Sequence, residues 1–189
     1  MTVKDLERLY DYGYWANKKL LAVVSQLTPE QFTQNVAGSY GSVRNTLVHT
    51  LSAEWGWLDR CGGHARGPAL KADDYPTAAA LVETWTKVEG WIRAFLAGLK
   101  DEDVDRLVEY KNPRGEARSM ALGELMQHGA NYGVHHRGQV ALLLRLLGQV
   151  PGNVDLLFYD AERHQVSAFS SAKRSRRESR GHGGSEWST

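Results

Sequence analysis

The sequence lacks several features that would point to particular protein classes. It has a single cysteine, Cys61, so no disulfide can form within the chain. Its 23 Lys and Arg residues nearly balance 22 Asp and Glu residues, which excludes a general basic field for gathering nucleic acid or anionic membrane. No apolar run approaches the roughly 18 residues of a membrane span. The N-terminus also has no secretory leader, so we expect a soluble, cytoplasmic protein without a membrane partner.

Amphipathic helical patterns dominate what is present. Apolar residues recur every three or four positions over 3–27, 43–61, 76–99 and 122–147. Ser42 and Ser119 are suitable caps for the second and fourth of these helices, and Asp74 or Tyr75 before Pro76 opens the third. A short helix is expected after Thr28. The 64–76 connection is long enough to cross the molecule, so the patterns predict an all-α four-helix bundle with a long crossover connection.

Two further segments differ from these helices. Residues 107–119 predict a small hairpin or an extended loop before the last long helix, with a turn around Gly115. After about Arg163 the chain becomes rich in Ser, Gly and basic residues, which predicts one domain over 1–163 and a disordered tail over 164–189. The tail cations could add non-specific affinity for nucleic acid. A solvated terminus is the favoured interpretation, and no specific nucleic-acid partner is expected.

Histidine is scarce, with 7 residues, yet two histidines fall on core-facing helical positions: His49 and His136. If both face the core, their imidazoles converge at one depth, as a divalent cation requires. The alternative is that each is a hydrogen-bonded core residue. On a helix, a partner ligand for His136 would stand at position 132 or 140, which are Tyr132 and Val140. His128 is two turns away, roughly 12 Å along the axis, so spacing supports two histidine ligands and not three.

These residues carry a family resemblance. The run from His128 to Val140, which contains the His-Arg-Gly-Gln motif, resembles the C-terminal signature of the DinB family, the DNA-damage-inducible DinB/YfiT-like metalloenzymes. The run 14–17, Tyr-Trp-Ala-Asn, resembles the family's first-helix pattern, and Val48-His49 with Glu54 and Trp55 resembles its second. The resemblance covers roughly residues 5–160. The family name refers to damage-induced expression and does not imply contact with DNA.

The resemblance implies a divalent metal, Zn, Ni or Fe, held by three histidines at positions 49, 132 and 136. Tyr132 stands where the family usually has histidine, and a neutral phenol is a poor ligand until the cation lowers its pKa. Three outcomes stay open: Tyr132 ligates, water replaces it, or the metal is lost. His128, Glu54 and Trp55 are expected in the pocket or behind the ligands. We expect Arg137 and Gln139 to anchor the last long helix or a dimer.

Two functions from different classes follow from this. The first is a metal-dependent enzyme, a thiol-dependent transferase or a hydrolase, in which the metal activates a low-molecular-weight thiol or water against a small electrophile. The second is a catalytically inactive, stress-associated helical binding protein with a degraded metal site. A homodimer is expected in either case.

Overall fold

The chain is mostly helical, with one small two-stranded sheet. The computed structural model describes residues 1–36, 38–112 and 114–165. The helices are α1 (Val3–Val24), α2 (Pro29–Thr33), α3 (Val43–Cys61), α4 (Ala78–Ala97) and α5 (Leu122–Leu146), and a further helix covers 156–165. None of the helices in these ranges combines the length and apolar character needed to cross a membrane.

Contacts divide the chain into two compact units, Met1–Gly152 and Asn153–Thr189. Helices α1 to α5 and the sheet all belong to the first unit. The predicted disordered tail falls, from residue 166 onward, outside the described residues, so it stays a prediction.

Side-chain caps fix the starts of α2 and α3 as predicted. The Thr28 hydroxyl accepts from the backbone N–H of Gln31 at 3.2 Å, and the Gln31 side chain accepts from Thr28 N–H at 3.0 Å, a capping box. Ser42 accepts from Asn45 N–H at 3.0 Å. Each cap satisfies a helix-end donor that would otherwise have no partner.

The predicted starts of α4 and α5 are wrong. Helix α4 begins after Thr77, whose hydroxyl accepts from Ala80 N–H at 3.4 Å, because a hydroxyl cap is available just beyond Pro76. Ser119 does not cap α5, since it lies in a strand opposite Glu109. The strand pairing continues to the end of that strand, and α5 starts only at Leu122.

The segment before α5 is a hairpin, which confirms one of the two predicted forms. Strand β1 (Leu107–Lys111) pairs antiparallel with β2 (Ala117–Ala121), in the register Leu107 to Ala121 and Lys111 to Ala117. The hairpin leads directly into α5, because Leu122 N–H donates to the carbonyl of Arg106 at 2.9 Å. The start of α5 is therefore tied to the residue before β1.

The four long helices contact one another in pairs: α3 with α5, α5 with α1, α1 with α4, and α4 with α3. Their apolar stripes form the core, and burying each Leu or Val side chain stabilises the fold by about 1.5–3 kcal/mol. The fully buried large side chains of α1, α3, α4 and α5 are Leu6, Leu20, Val24, Val43, Leu51, Leu81, Val88, Leu122, Leu125, Leu143 and Leu144. Helix α5 lies against both α1 and α3, so its buried stripe, which includes His136, faces two neighbours.

Candidate metal centre

Four rings meet where α3 and α5 pack together: Tyr40, His49, Tyr132 and His136, here called the four-ring cluster. His49 lies on α3, Tyr132 and His136 lie one turn apart on α5, and Tyr40 lies in the turn before α3. The ring centroids of His49 and His136 are 5.0 Å apart, and those of Tyr132 and His136 are 4.3 Å apart. The structure thus brings together all three residues that were predicted as metal ligands.

Two phenol oxygens approach the same nitrogen of His49. The Tyr40 hydroxyl lies 2.7 Å from His49 Nε2, and the Tyr132 hydroxyl also hydrogen-bonds this nitrogen. The rings of Tyr40 and His49 stack, with centroids 3.9 Å apart and planes inclined by 22°. The sequence did not predict a place for Tyr40 in this site. Tyr40 lies in a turn nine residues before His49, where no helical periodicity relates the two positions.

Hydrogen bonds hold the turn that carries Tyr40. Ser39 has a φ of 48° and Gly41 a φ of 85°, a left-handed conformation that glycine adopts readily and serine rarely. Val36 N–H donates to the carbonyl of Gly41 at 2.7 Å, and the Asn45 side chain donates to the carbonyl of Tyr40 at 3.1 Å. These bonds hold the Tyr40 backbone beside the start of α3.

Gln139 determines the state of His136. The Gln139 side-chain oxygen can only accept, so Nδ1 of His136, 2.6 Å away, carries the proton and donates to it. The same oxygen accepts from the Ser39 hydroxyl at 2.9 Å, and the Gln139 nitrogen donates to His135 Nε2 at 3.1 Å. Gln139 ties α5 to the Tyr40 turn through the Ser39 contact, in line with its predicted anchoring role. Gln139 also orients His136. The i, i+3 spacing of these two residues on α5 could have indicated their contact.

Because Nδ1 is protonated, Nε2 of His136 bears a lone pair. This nitrogen is buried and has no hydrogen-bond partner, and His136 as a whole is only 3% exposed. A buried polar atom without a partner costs free energy, on the order of 1–3 kcal/mol. Such an atom in a native site calls for an explanation, and a bound cation supplies one.

The electrostatics keep the cluster neutral at physiological pH. Burial lowers the pKa of His49, and the neighbouring His136 and Arg66 lower it further. Burial also lowers the pKa of His136, and the hydrogen bond to Gln139 only partly opposes this. Burial raises the pKa of Tyr132 to about 12, and the neighbouring Tyr40 phenol, by its charge and by a hydrogen bond between the two hydroxyls, acts in the same direction. Neutral imidazole is the form that binds metals.

The side chains of the four-ring cluster meet only some of the usual requirements for binding a metal ion. The rings of His49 and His136 lie 5.0 Å apart, centroid to centroid, and Nε2 of His136 has no hydrogen-bond partner. Within the described ranges, no group of three or more His, Cys, Asp or Glu residues is arranged to hold a metal ion. A third protein ligand at this site would therefore have to be a tyrosine oxygen.

The other predicted pocket residues are more distant. His128 is exposed, and its ring stands between Trp57, at 5.0 Å, and Tyr132, at 6.0 Å, so it borders the cluster through Tyr132. Trp55 packs against Trp91 of α4, with centroids 5.2 Å apart. It contributes to a neighbouring cavity.

That cavity has a volume of about 330 Å³ and is lined by Trp55, Ser52, Arg66 and Lys71 together with two acidic residues, Asp59 and Asp74. Arg66 also acts on the four-ring cluster, where its positive charge lowers the pKa of His49 and opposes the raised pKa of Tyr132.

Glu54, a half-buried residue of α3, lies in a polar group on the α1 side of α5. A Cβ added to Gly133 would lie 2.9 Å from Arg137 Nη1 and 3.5 Å from Glu54 Oε1, so both side chains occupy the space that this glycine leaves. Arg137 donates to Asn17 of α1 at 3.3 Å. Burial raises the pKa of Glu54 to about 7, although the Arg137 charge opposes the shift.

Comparison with known proteins shows to which family this chain belongs. The model of the DinB family matches residues 1–168. The chain belongs to the DinB family. Protein DinB of Bacillus subtilis (strain 168) is 23% identical over 157 residues, which cover 80% of this chain and 91% of that protein.

Two solved structures of DinB-like proteins share the fold. A DinB-like protein from Bacillus cereus ATCC 10987 superposes with a TM-score of 0.67 at 22% identity, covering 82% of this chain and 98% of its own. A DinB family member from Shewanella denitrificans gives a TM-score of 0.53 at 15% identity, covering 78% and 84%.

Proposed function

We propose that this DinB family protein is a divalent-metal-dependent enzyme that holds its cation at the four-ring cluster. The observation that carries the proposal is the state of His136. Its Nδ1 is occupied by Gln139, while its lone-pair nitrogen is buried, without a partner and close to the ring of His49. This arrangement matches metal-binding histidines, whose second nitrogen is usually held by another group of the protein.

When bound, the cation would lower the pKa of a coordinated thiol or water so that a nucleophile exists at neutral pH. The chain itself supplies the rest. His49 and His136 hold the ion, and Gln139 keeps the His136 ring in one orientation. Tyr132 either ligates or donates a hydrogen bond within the site.

The substrate class that we favour is a low-molecular-weight thiol reacting with a small electrophile. The Arg66 cavity, at about 330 Å³, has the size of a small-molecule site, and the charge of Arg66 also acts on Tyr132 of the cluster. The Arg66 cation would attract an anionic thiol and favour its thiolate. A reducing compartment such as the cytoplasm suits this chemistry, since it keeps such thiols reduced.

Elemental analysis of the full chain, purified without chelator and reloaded with Zn²⁺ or Ni²⁺, tests the metal site. About one ion per chain is expected in the wild type, and His136→Ala should lose it because one of the two imidazole ligands is gone. His64→Ala is the matched control, since His64 is exposed in the connection after α3. Equal metal content in His136→Ala and the wild type would contradict the proposal.

Activity is tested with the metal-loaded chain, a panel of thiols and a chromogenic alkylating agent. We expect thiol consumption above the uncatalysed rate in the wild type and none above it in His136→Ala. Water as the only productive nucleophile would assign the protein to hydrolysis instead.

A specific observation also supports the second function, an inactive binding protein. The hydroxyls of Tyr40 and Tyr132 already bond His49 Nε2, so the site can satisfy this nitrogen without a metal. Helix α5 also exposes an apolar row, Val134, Leu142 and Leu146, between 44% and 58% exposed, that would suit a homodimer. A metal-free chain of twice the monomer mass after purification without chelator would favour this function.

The same proposal includes the architecture. We infer that α1, α3, α4 and α5 form a four-helix bundle in which the 62–77 segment is the long crossover connection. The closed series of helix pairs supports this arrangement.

A further inference from the structure

A glycine of α3, Gly56, brings two arginine side chains together beside the cavity of about 330 Å³. A Cβ added at position 56 would lie 2.7 Å from Nε of Arg66, so the Arg66 side chain occupies the space that this glycine leaves. Arg60, one turn later on α3, donates to the carbonyl of Gly56 at 3.0 Å and lies over the ring of Trp57. Both guanidinium groups therefore lie beside the same residue.

The charges of these two arginines act on each other, and no anion compensates them. Burial lowers the pKa of Arg60, and the Arg66 charge lowers it further, although Tyr110 and Asp59 oppose this shift. Among the residues that the structure describes, neither guanidinium forms an ion pair, and Arg66 has no hydrogen-bond partner either. Like charges held close together cost free energy, which an anion bound between them would offset.

The cavity next to this arginine pair lies between α3 and the 62–77 connection, and hydrogen bonds fix its walls. The backbone N–H of Gly67 donates to Asp59 Oδ2 at 3.1 Å. The backbone N–H of Leu70 donates to Ser52 Oγ at 3.0 Å. Because both acceptors belong to α3, the connection is held against that helix, and the cavity has the preformed walls that are usual in small-molecule sites.

The charges around the cavity favour an anionic ligand. Asp59 and Asp74 line it, and the cations Arg66 and Lys71 line it as well. Arg60 beside Gly56 adds a third cation to these two, and Asp59 already accepts from the backbone of the connection. A guanidinium group binds carboxylate or phosphate oxygens through two parallel N–H donors, so a pair of arginines suits an oxyanion.

We propose that Arg60 and Arg66 bind an oxyanion group, a carboxylate or a phosphate, of a small molecule whose apolar part lies against Trp55 in the cavity. The inference rests on the proposed function in taking this cavity as the substrate site, and it names the group of the substrate that the cavity recognises. Gly56 is a positioning residue, because a side chain there would displace Arg66. The binding itself requires no metal ion.

Isothermal titration calorimetry of the full metal-free chain with phenyl phosphate and with phenylacetate tests the site. We expect binding that weakens as the salt concentration rises, because salt screens the attraction between charges. Arg66→Gln and Arg60→Gln should each reduce the affinity at least about tenfold, as loss of a hydrogen-bonded charge should. The uncharged analogues, phenol and phenylacetamide, should bind the wild type at least about tenfold more weakly. The acid that binds more tightly identifies the oxyanion.

Arg145→Gln is the matched control for the loss of charge. Arg145 lies on α5 and, like Arg60, donates to the carbonyl four residues earlier, at 3.3 Å. Its replacement should leave the affinity for both acids unchanged. Circular dichroism checks that each variant keeps the helical content of the wild type.

Gly56→Ala tests the positioning of Arg66 without removing its charge. The variant should lose the preference for each acid over its uncharged analogue, whereas general damage to the cavity would weaken acid and analogue equally. Gly90→Ala is its control, since a Cβ at position 90 of α4 would meet nothing within 4 Å. A preference that survives unchanged in Gly56→Ala would contradict the role of this glycine.

The inference would be overturned by equal affinity of the wild type and Arg66→Gln for both acids, or by equal affinity of the wild type for the acids and their analogues. Zinc content separates it from the proposed function. If the wild type holds Zn²⁺ through His136 but binds neither acid, the oxyanion site is wrong and the metal site stands. Acid binding that depends on Arg66 in a chain that cannot hold Zn²⁺ supports the oxyanion site and contradicts the metal-dependent function.

Discussion

The side-chain oxygen of Gln139 lies 2.6 Å from Nδ1 of His136 and accepts a hydrogen bond from it. This one bond fixes which imidazole nitrogen carries the lone pair. It also links the orientation of His136 to the turn before α3, because the same oxygen accepts from Ser39.

Replacing Gln139 with leucine should weaken metal binding by about 10–100-fold, the usual effect of losing a group that holds a ligand. Competition with a chromogenic chelator measures the change. Gln127→Leu is the control, since Gln127 is exposed on the same helix. Equal affinities for the Gln139→Leu and Gln127→Leu variants would show that the bond does not support the site.

The contact between Gly123 and Val104 predicts a large stability effect of one methyl group. A Cβ at position 123 would lie 2.5 Å from Val104 Cγ1, and Val104 is buried and stiff at χ1. Gly123→Ala should therefore lower the free energy of unfolding by about 1–3 kcal/mol. Urea denaturation measures it.

Gly138→Ala on the same helix is the matched control. A Cβ there would meet nothing within 4 Å, so alanine should raise the free energy of unfolding by about 0.5–1 kcal/mol through helix propensity. Destabilisation by both substitutions would indicate that another molecule packs against α5 at position 138.

Burial of Glu54 predicts a pH-dependent stability. Its pKa of about 7, against an ordinary 4.5, means that the folded chain keeps a proton which the unfolded chain releases. The associated stability is fully present below pH 4.5 and is lost as the pH rises through 7, by about 3 kcal/mol in all.

Thermal or urea unfolding between pH 5 and pH 8, with chelator present, should therefore show Glu54→Gln gaining stability relative to the wild type as the pH rises. Glu83→Gln should show no such gain, because Glu83 is exposed and its bond to Lys87 lowers its pKa. Parallel pH profiles for wild type and Glu54→Gln would contradict the raised pKa.

Cys61 should be unreactive in the folded protein. It is fully buried, and burial raises the pKa of its thiol to about 11, although Arg106 and Arg60 oppose the shift. Because the thiolate is the reactive form, iodoacetamide at pH 8 should label the chain only after denaturation. Rapid labelling of the native chain would indicate that the end of α3 opens.

The long helices could be predicted because apolar periodicity and local caps such as Ser42 act within a few residues. The start of α5 could not be predicted in this way. Pairing between β1 and β2 places Ser119 in a strand, and this pairing depends on residues about ten positions earlier in the chain. The proximity of His49 to His136 was predicted from their core-facing positions. The place of Tyr40 was not predicted, since it depends on the backbone conformation of Ser39 and Gly41 and not on periodicity.

The turn before α3 also limits what a single substitution at position 132 can change. A histidine placed at this position would give the trio that the family resemblance implies, yet Tyr40 would still stack on His49 with its hydroxyl against Nε2. Because the Asn45 side chain and Gln139 hold that turn in place, this one substitution should leave the Tyr40 hydroxyl on His49. A site of three histidines alone would require changes in the turn and in α5 together.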